Sequence, residues 1–152
     1  MHEPPRSDVN PAGFQRLRRQ REMTDVLLSR AESLPPQDSA LIRAILGDGK
    51  PAREVAILLG LPPGGDRAIR RRVRRLITRM TSTTFIFVLR HGGAWPPPLR
   101  RVATACFLHG LSLRAAAREL GTSLHSVRAA HAAVLALATA ATTVSATPRE
   151  AA

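Results

Sequence analysis

The sequence has few of the residues on which many enzymes and secreted proteins depend. Its 152 residues include one cysteine and no tyrosine, and aromatic side chains make up only 3%. A single cysteine excludes an internal disulfide, and Cys106 lies among apolar residues, which favours a buried thiol over a nucleophile. The absence of tyrosine excludes the chemistry of tyrosine recombinases. With so few aromatic residues, the core must consist mostly of small aliphatic side chains, whose helical spacing here predicts an all-α fold.

The acidic and histidine residues do not form a catalytic or metal-binding pattern. The acids are scattered singly, so no pair is available to hold Mg²⁺ for nuclease or transposase chemistry. The five histidines and the cysteine lack the spacing of zinc ligands. Neither Gly64-Gly65 nor Gly92-Gly93 is followed by the Lys-Ser/Thr of a phosphate-binding loop. We therefore expect no enzymatic activity, no metal and no cofactor.

We also find no signal for a long apolar segment in the sequence. The N-terminal residues lack the apolar core of a secretory signal. We find no stretch of about eighteen uncharged apolar residues and expect no membrane span. These absences predict a cytoplasmic, nucleoid-associated protein. Residues 1–10 and 139–152 are polar or small, which predicts disordered ends.

Basic residues are abundant, and almost all of them are arginine. Lysine and arginine together number 23 against 11 acidic residues, which gives a formal net charge of +12. This charge predicts attraction to a polyanion, either a nucleic acid or an anionic membrane surface. Lys50 is the only lysine. Codon usage in a GC-rich genome explains the ratio of arginine to lysine, but it does not explain the net charge.

Residues 110–137 have the pattern of two helices joined at a glycine. The hydroxyl of Ser123 can cap the second helix, and Gly121 can adopt the left-handed conformation that ends the first. The small side chain of Ala117 allows the helices to approach, and Val127 can anchor the second helix in the core. This combination predicts a helix-turn-helix.

The same pattern occurs twice, at positions 61 residues apart. The aligned pairs include Leu34-Pro35-Pro36 with Trp95-Pro96-Pro97, Gly49 with Gly110, Arg53 with Arg114, Ala56 with Ala117 and Leu59-Gly60 with Leu120-Gly121. We interpret this as an internal duplication. The copies diverge after the shared glycine, where residues 61–65 of the first copy form a longer turn. Ile69 then takes the place of Val127.

The duplication predicts two tandem three-helix repeats behind an N-terminal support helix. We place a tail and this helix at 1–33, the first repeat at 34–80, a linker at 81–94, the second repeat at 95–138 and a flexible tail at 139–152. The helix over about 11–33 is expected either to support the repeats or to serve as an oligomerisation surface. Helices are predicted over 37–47, 51–59 and 66–80, and over 98–109, 112–120 and 123–138. The linker favours a strand over 81–89, although a helical turn or an extended segment that buries Phe85 and Phe87 also fits.

The last helix of the first repeat combines an apolar stripe with an arginine face. Five arginines share the polar side, with Arg72 and Arg79 on its flanks: Arg67, Arg70, Arg71, Arg74 and Arg75. Because like charges at this spacing repel one another, the face predicts a nucleic-acid contact rather than a merely solvated surface. In the second repeat, the early turns of the equivalent helix carry Ser123, His125, Ser126 and Arg128, where side chains can meet base edges. An ordinary exposed histidine explains His125 equally well.

Residues 34–80 resemble region 4 of sigma-70-type RNA polymerase sigma factors. The resemblance lies in LPPQD, PAREVAILLG and LPPGGDRAIRRRVRRL. Residues 95–137 are similar to the same superfamily and to LuxR-type output domains, through GLSLRAAARELGTSLHSVRAA. The resemblance implies double-stranded DNA as a partner, a role in transcription regulation, and RNA polymerase or another acidic protein as a second partner.

Two other functions remain open at this point. No region 2 of a sigma factor is recognisable, so we do not expect a complete sigma factor. A protein–protein adaptor of the sigma or anti-sigma kind would use the arginine face for an acidic partner. A DNA-binding subunit of a mobile element or phage is the third alternative. The sequence does not predict the oligomeric state.

Overall fold

The computed structural model describes residues 11–146, and every regular element in this range is helical, which confirms the all-α prediction. The helices are α1 (Pro11–Ala31), α2 (Pro36–Ile42), α3 (Ala52–Leu58), α4 (Gly65–Met80), α5 (Thr83–His91), α6 (Pro97–Ala103), α7 (Leu113–Leu120) and α8 (Leu124–Ala146). A π-helical turn extends α2 over Arg43–Gly47 and α6 over Thr104–Leu108, and a 3₁₀ turn, Gly92–Ala94, follows α5. The disorder predicted for residues 1–10 lies outside the described residues.

The helices of the second half recur at the 61-residue offset. After this shift, α2 and its π-helical turn have the same bounds as α6 and its π-helical turn. Glycines in the left-handed conformation occupy equivalent places: Gly49 (φ +67°) and Gly60 (φ +66°) in the first copy, Gly110 (φ +71°) and Gly121 (φ +62°) in the second. We therefore use the names first repeat for α2–α4 and second repeat for α6–α8.

The turn before the last helix differs between the repeats, as the sequence predicts. It covers residues 59–64 in the first repeat and 121–123 in the second, so the first is three residues longer. Within the last helices the offset is consequently 58 residues. Ile69 and Val127 are both buried at equivalent positions, and so are Leu76 and Val134.

Local capping fixes the start of α7 and α8 in the second repeat. The Ser112 Oγ accepts a hydrogen bond from the Ala115 N–H at 3.2 Å, and the Ser123 Oγ accepts one from the Ser126 N–H at 3.0 Å. The Ser123 cap agrees with the sequence-based expectation.

The predicted strand over residues 81–89 is wrong, because this segment contains α5. The Ser82 Oγ caps the helix by accepting a hydrogen bond from the Phe85 N–H at 3.2 Å. Phe85 and Val88, three residues apart, are buried. The helix contacts α4, α8 and the π-helical turn after α6. Burial on one helical face thus overrides the strand preference of the β-branched residues, and α5 joins the two repeats instead of linking them loosely.

The two repeats share a core. Its larger part combines α1, the first repeat and α5 with Ala103, Leu108 and Val134 of the second repeat. A smaller cluster lies within the second repeat. Trp95 packs against the larger part, and its ring centroid lies 5.7 Å from that of Phe87. Trp95 thus packs against the core cluster to which Leu34, its counterpart in the first repeat, belongs.

The end helices differ from their predicted form. In α1, Leu27 and Ala31 are buried, but Phe14 is 68% exposed, so this support helix is buried only in its C-terminal part. The flexible tail predicted from residue 139 is wrong as far as Ala146, because α8 continues to that residue. Alanine has the highest helix propensity, and the hydroxyl of Thr142 donates to the Ala138 carbonyl oxygen within the helix.

The length of α8 also bears on the expected absence of a membrane span. Among the described residues, Leu124–Ala146 is a helix long and apolar enough to cross a membrane by length and composition alone, with a mean hydropathy of 1.5. Only 11% of the 18-residue apolar segment within this helix is buried inside the structure. The buried residues Val127, Val134 and Ala138 nevertheless face the other helices.

Candidate nucleic-acid interface

Helix α4 presents the five predicted arginines on one surface. Its apolar stripe consists of Ile69, Val73, Leu76 and Met80, all of which are buried. The arginines that the sequence predicts for the opposite side are all exposed: Arg67, Arg70, Arg71, Arg74 and Arg75. Shallow depressions between neighbouring guanidinium groups run along this surface. We call it the arginine face.

The charge of the arginine face is almost unopposed. The Oδ2 of Asp66 lies 3.1 Å from the Nη2 of Arg70, one helical turn away. Within residues 11–146 the other four arginines of the face make no ion pair. Because the side chain of Arg70 is 62% exposed, water screens this pair in part, and an anion can compete with Asp66 for Arg70.

The two flanking arginines hold the structure together. The Nη2 of Arg72 lies 2.7 Å from the Oδ1 of Asp38 and its Nε donates to the same oxygen at 2.9 Å, which ties α4 to α2. The Nη1 of Arg79 donates to the Leu108 carbonyl oxygen at 3.3 Å and so ties α4 to the second repeat. Sequence reasoning places both on the edge of the arginine face but gives no sign of these partners.

The predicted site of the second repeat lies on a different helix from the arginine face. Besides capping α8, the Ser123 Oγ lies 2.8 Å from the Ser126 Oγ, so these two hydroxyl groups bind each other. His125 and Arg128 are exposed on the first turns of α8. Alanines stand where the arginine face has three of its arginines: Ala129, Ala132 and Ala133 align with Arg71, Arg74 and Arg75. The second repeat therefore offers a much weaker positive surface.

An exposed apolar patch beside α4 escapes the sequence reasoning. Ile57 and Leu58, at the end of α3, are each 68% exposed, and Leu59 and Leu61 next to them are exposed as well. The second repeat has Arg118 and Glu119 at the positions of Ile57 and Leu58. The same fold is thus built with charged residues there, so packing does not require the α3 apolar patch. A position-by-position comparison of the repeats could have revealed it.

The remaining titratable groups of residues 11–146 include a half-buried cysteine and a stacked histidine. Among the described residues, no group of three or more His, Cys, Asp or Glu side chains could hold a metal ion. Cys106 is half-buried on the π-helical turn after α6, and this burial raises the pKa of its thiol. The His131 ring stacks on Phe107 with centroids 4.7 Å apart. A thiol with a raised pKa is a poor nucleophile at neutral pH.

The structure defines this chain as an all-α protein with a repeated helical unit, one copy of which carries an arginine face. Comparisons with protein-family models, curated proteins and solved structures find no match for it. The functional argument therefore depends on the geometry and charge of the chain itself.

Proposed function

We propose that this chain is a cytoplasmic protein that binds double-stranded DNA through α4 and regulates transcription. The observation that carries the proposal is the arginine face: five exposed arginines opposite a fully buried apolar stripe, with one acid in an ion pair. Duplex DNA carries about one negative charge per 1.7 Å of its axis. A helix of 16 residues, roughly 24 Å long, can place several guanidinium groups against such an array.

The arrangement of α3 and α4 supports a helix-turn-helix mode of binding. The two helices pack against each other through buried residues that include Val55, Ala56 and Ile69. In such motifs the second helix enters the major groove while the first lies across the backbone. In the proposed complex α4 is the recognition helix. This assignment agrees with the resemblance of the first repeat to sigma region 4.

The arginines can serve both phosphate and base contacts. Contacts to phosphates supply affinity without sequence preference, and they displace counterions from the DNA. A guanidinium group that reaches the groove can bind O6 and N7 of guanine with two parallel hydrogen bonds. Binding also relieves the mutual repulsion of the five arginines in the free protein.

The second repeat contributes less to the proposed complex. His125 and Arg128 can reach a phosphate or a base edge from the first turns of α8. The mutual hydrogen bond of Ser123 and Ser126 uses one of their two hydroxyl protons, so the other hydroxyl can donate to DNA. Since bound modules on one chain increase each other's effective concentration, even a weak second contact strengthens binding.

Salt-dependent binding by matched arginine variants tests the proposal. The variant Arg71→Gln/Arg74→Gln/Arg75→Gln removes three charges from the arginine face. The control, Arg16→Gln/Arg19→Gln/Arg21→Gln, removes three exposed arginines from α1. Affinity for a random-sequence duplex is measured by fluorescence anisotropy over a range of KCl concentrations.

We expect the α4 variant to lose affinity and to lower the slope of log affinity against log salt by about 2–3. The α1 control should keep most of the wild-type slope, because only long-range attraction is reduced. Equal losses in the two variants would mean that net charge, and not the arginine face, drives binding. Absence of wild-type binding at low salt would overturn the proposal.

A second candidate function is binding to an acidic protein, RNA polymerase included. The α3 apolar patch favours it, since a partner with acidic and apolar groups could cover this patch and the arginine face together. Duplex DNA offers no matching apolar surface along its phosphates. This function would be established instead if the wild-type chain did not bind duplex DNA but bound an acidic protein. The variant Ile57→Arg/Leu58→Glu should then lose binding to that protein.

A further inference from the structure

The second repeat contains an open groove between α6 and the start of α8. The volume of this groove is about 360 Å³. Its apolar lining includes Leu99, Val102 and Ala130, and its polar lining consists of Arg101, Thr122 and Ser126. This volume falls within the range of small-molecule sites in proteins, about 300–1,000 Å³. We refer to it as the α6–α8 groove.

Comparison with the first repeat shows why the α6–α8 groove exists. Asp38 stands at the position of Leu99, and Arg72 at the position of Ala130. In the first repeat these two charged side chains form the ion pair of 2.7 Å that joins α2 to α4. In the second repeat the arginine is replaced by alanine, so the side chain that would fill this space is missing.

The polar and apolar positions around this space are exchanged between the repeats. Where the groove has Arg101, Thr122 and Ser126, the first repeat has Ala40, Leu61 and Ala68. At this place the first repeat thus has an ion pair between the buried Asp38 and the partly exposed Arg72, with apolar residues around it. The second has an apolar interior and a polar rim. Such an exchange suits a bound molecule with a hydrocarbon part and a polar head group.

We propose that the α6–α8 groove binds a small amphipathic carboxylate, namely an aromatic or medium-chain aliphatic acid. Leu99, Val102 and Ala130 would contact its hydrocarbon part. The guanidinium of Arg101 would pair with its carboxylate, because within residues 11–146 Arg101 makes no ion pair. The hydroxyl of Thr122, which has no hydrogen-bond partner in this part of the chain, would donate to the second carboxylate oxygen. This site goes beyond the proposed function and does not depend on the arginine face.

Three ligands with the same chain and different head groups test the charge of the site. The full-length ¹⁵N-labelled protein is titrated with octanoate, octan-1-ol and octylamine, and amide chemical shifts are followed. We expect shifts at residues 99–102 and 120–130. Octanoate should bind about fivefold more tightly than octanol, with octylamine the weakest. In Arg101→Gln the preference for octanoate over octanol should disappear, while the affinity for octanol is unchanged.

Filling the groove tests its location. The variant Leu99→Asp/Ala130→Arg transfers the ion pair of the first repeat and should abolish the octanoate shifts. Ala130→Leu, which fills the groove without new charges, should weaken octanoate binding if the double variant does not fold. Ala129→Leu, on the exposed neighbouring position, is the control and should bind octanoate like the wild type.

Three results would overturn the proposal. One is equal affinity for octanoate and octanol in the wild type. Another is a pattern of shifts centred on other exposed apolar residues, such as Phe14 or Ile57. The third is undiminished octanoate binding in a folded Ala130→Leu variant. None of these outcomes depends on whether the arginine face binds DNA.

Discussion

Asp38 carries a charge into the interior of the first repeat, where its Oδ1 accepts from two N–H groups of Arg72. The side chain of Asp38 is 13% exposed and that of Arg72 is 44% exposed, so water screens the pair in part. The second repeat lacks this ion pair and has Leu99 and Ala130 at the equivalent positions. The pair is therefore one of two ways to join the helices of a repeat.

We predict that Asp38→Ala lowers the free energy of unfolding by about 1–2 kcal/mol, because hydrogen bonds to a charged group are lost. Urea denaturation followed by circular dichroism measures the change. Asp38→Leu/Arg72→Ala, which copies the pair of the second repeat, should recover at least half of the loss. A double variant less stable than Asp38→Ala would show that the apolar pair cannot replace the ion pair in the first repeat.

Gly49 and Gly110 form a matched pair for a test of backbone and side-chain effects. Both have positive φ, but a Cβ at Gly49 would meet no atom within 4 Å, whereas one at Gly110 would overlap the guanidinium of Arg79. We expect Gly49→Ala to cost about 1 kcal/mol through backbone strain. Gly110→Ala should cost about 1 kcal/mol more, because Arg79 must leave the Leu108 carbonyl oxygen.

Urea denaturation of the two glycine variants gives this difference directly. Combining Gly110→Ala with Arg79→Ala supplies the control, since the second substitution removes the clash in advance. The effect of Gly110→Ala should then approach that of Gly49→Ala. Equal costs in the wild-type background would mean that Arg79 moves aside without losing a useful contact.

At the scale of elements, α3 and α7 are equivalent helices whose C-terminal ends expose different side chains. Ile57 and Leu58 are exposed in α3, and Arg118 and Glu119 occupy the equivalent places in α7. An exposed apolar side chain contributes little to folding, since it stays in water. We therefore regard the α3 apolar patch as a surface kept for contact with another molecule.

We predict that Ile57→Arg/Leu58→Glu changes the free energy of unfolding by less than about 0.5 kcal/mol. The variant keeps the net charge, so its DNA binding should stay close to wild type if α4 alone supplies the contacts. Chemical denaturation and anisotropy provide the two measurements. A loss of about 2 kcal/mol or more would show that the patch supports the fold in a way that its exposure conceals.

The elements differ in how far the sequence predicts them. The repeats were predictable because glycines such as Gly49 and Gly110 and caps such as Ser123 follow local backbone rules. Helix α5 was not, since its β-branched and aromatic residues favour a strand locally and only burial between the repeats makes it a helix. The length of α8 was also missed, because its alanines and threonines resemble a tail.

The candidate sites also differ in how far the sequence predicts them. The arginine face was predictable, since the helical period places the five side chains on one side of α4. The partners of Arg72 and Arg79 were not, because Asp38 and Leu108 are distant in sequence. The α6–α8 groove could not be predicted either, since it arises from side-chain volume that is missing between two helices.

At the scale of the whole molecule, the shared core makes the two repeats dependent on each other. Ala103, Leu108 and Val134 of the second repeat belong to the same cluster as the core of the first. Helix α5 contacts both repeats. Such continuity favours cooperative unfolding of the chain as one unit.

We predict that urea unfolding gives one transition. Far-ultraviolet circular dichroism reports the helices of both repeats, while fluorescence reports Trp95, the only tryptophan, at the junction. The midpoints of the two signals should coincide. Phe85→Ala, which opens a cavity in the shared core, should lower both midpoints together. Separate midpoints in the wild type would mean that the repeats fold independently.

The unequal surfaces of the two repeats give the molecule a direction. A two-fold symmetric dimer reads a palindrome and binds it identically in either orientation. A single chain with arginines on α4 and alanines at the equivalent positions of α8 has no such symmetry. On the proposed function, its DNA site need not be a palindrome, and the α6–α8 groove would always lie on the same side of it. Upstream and downstream would then be distinguished by one polypeptide without a partner subunit.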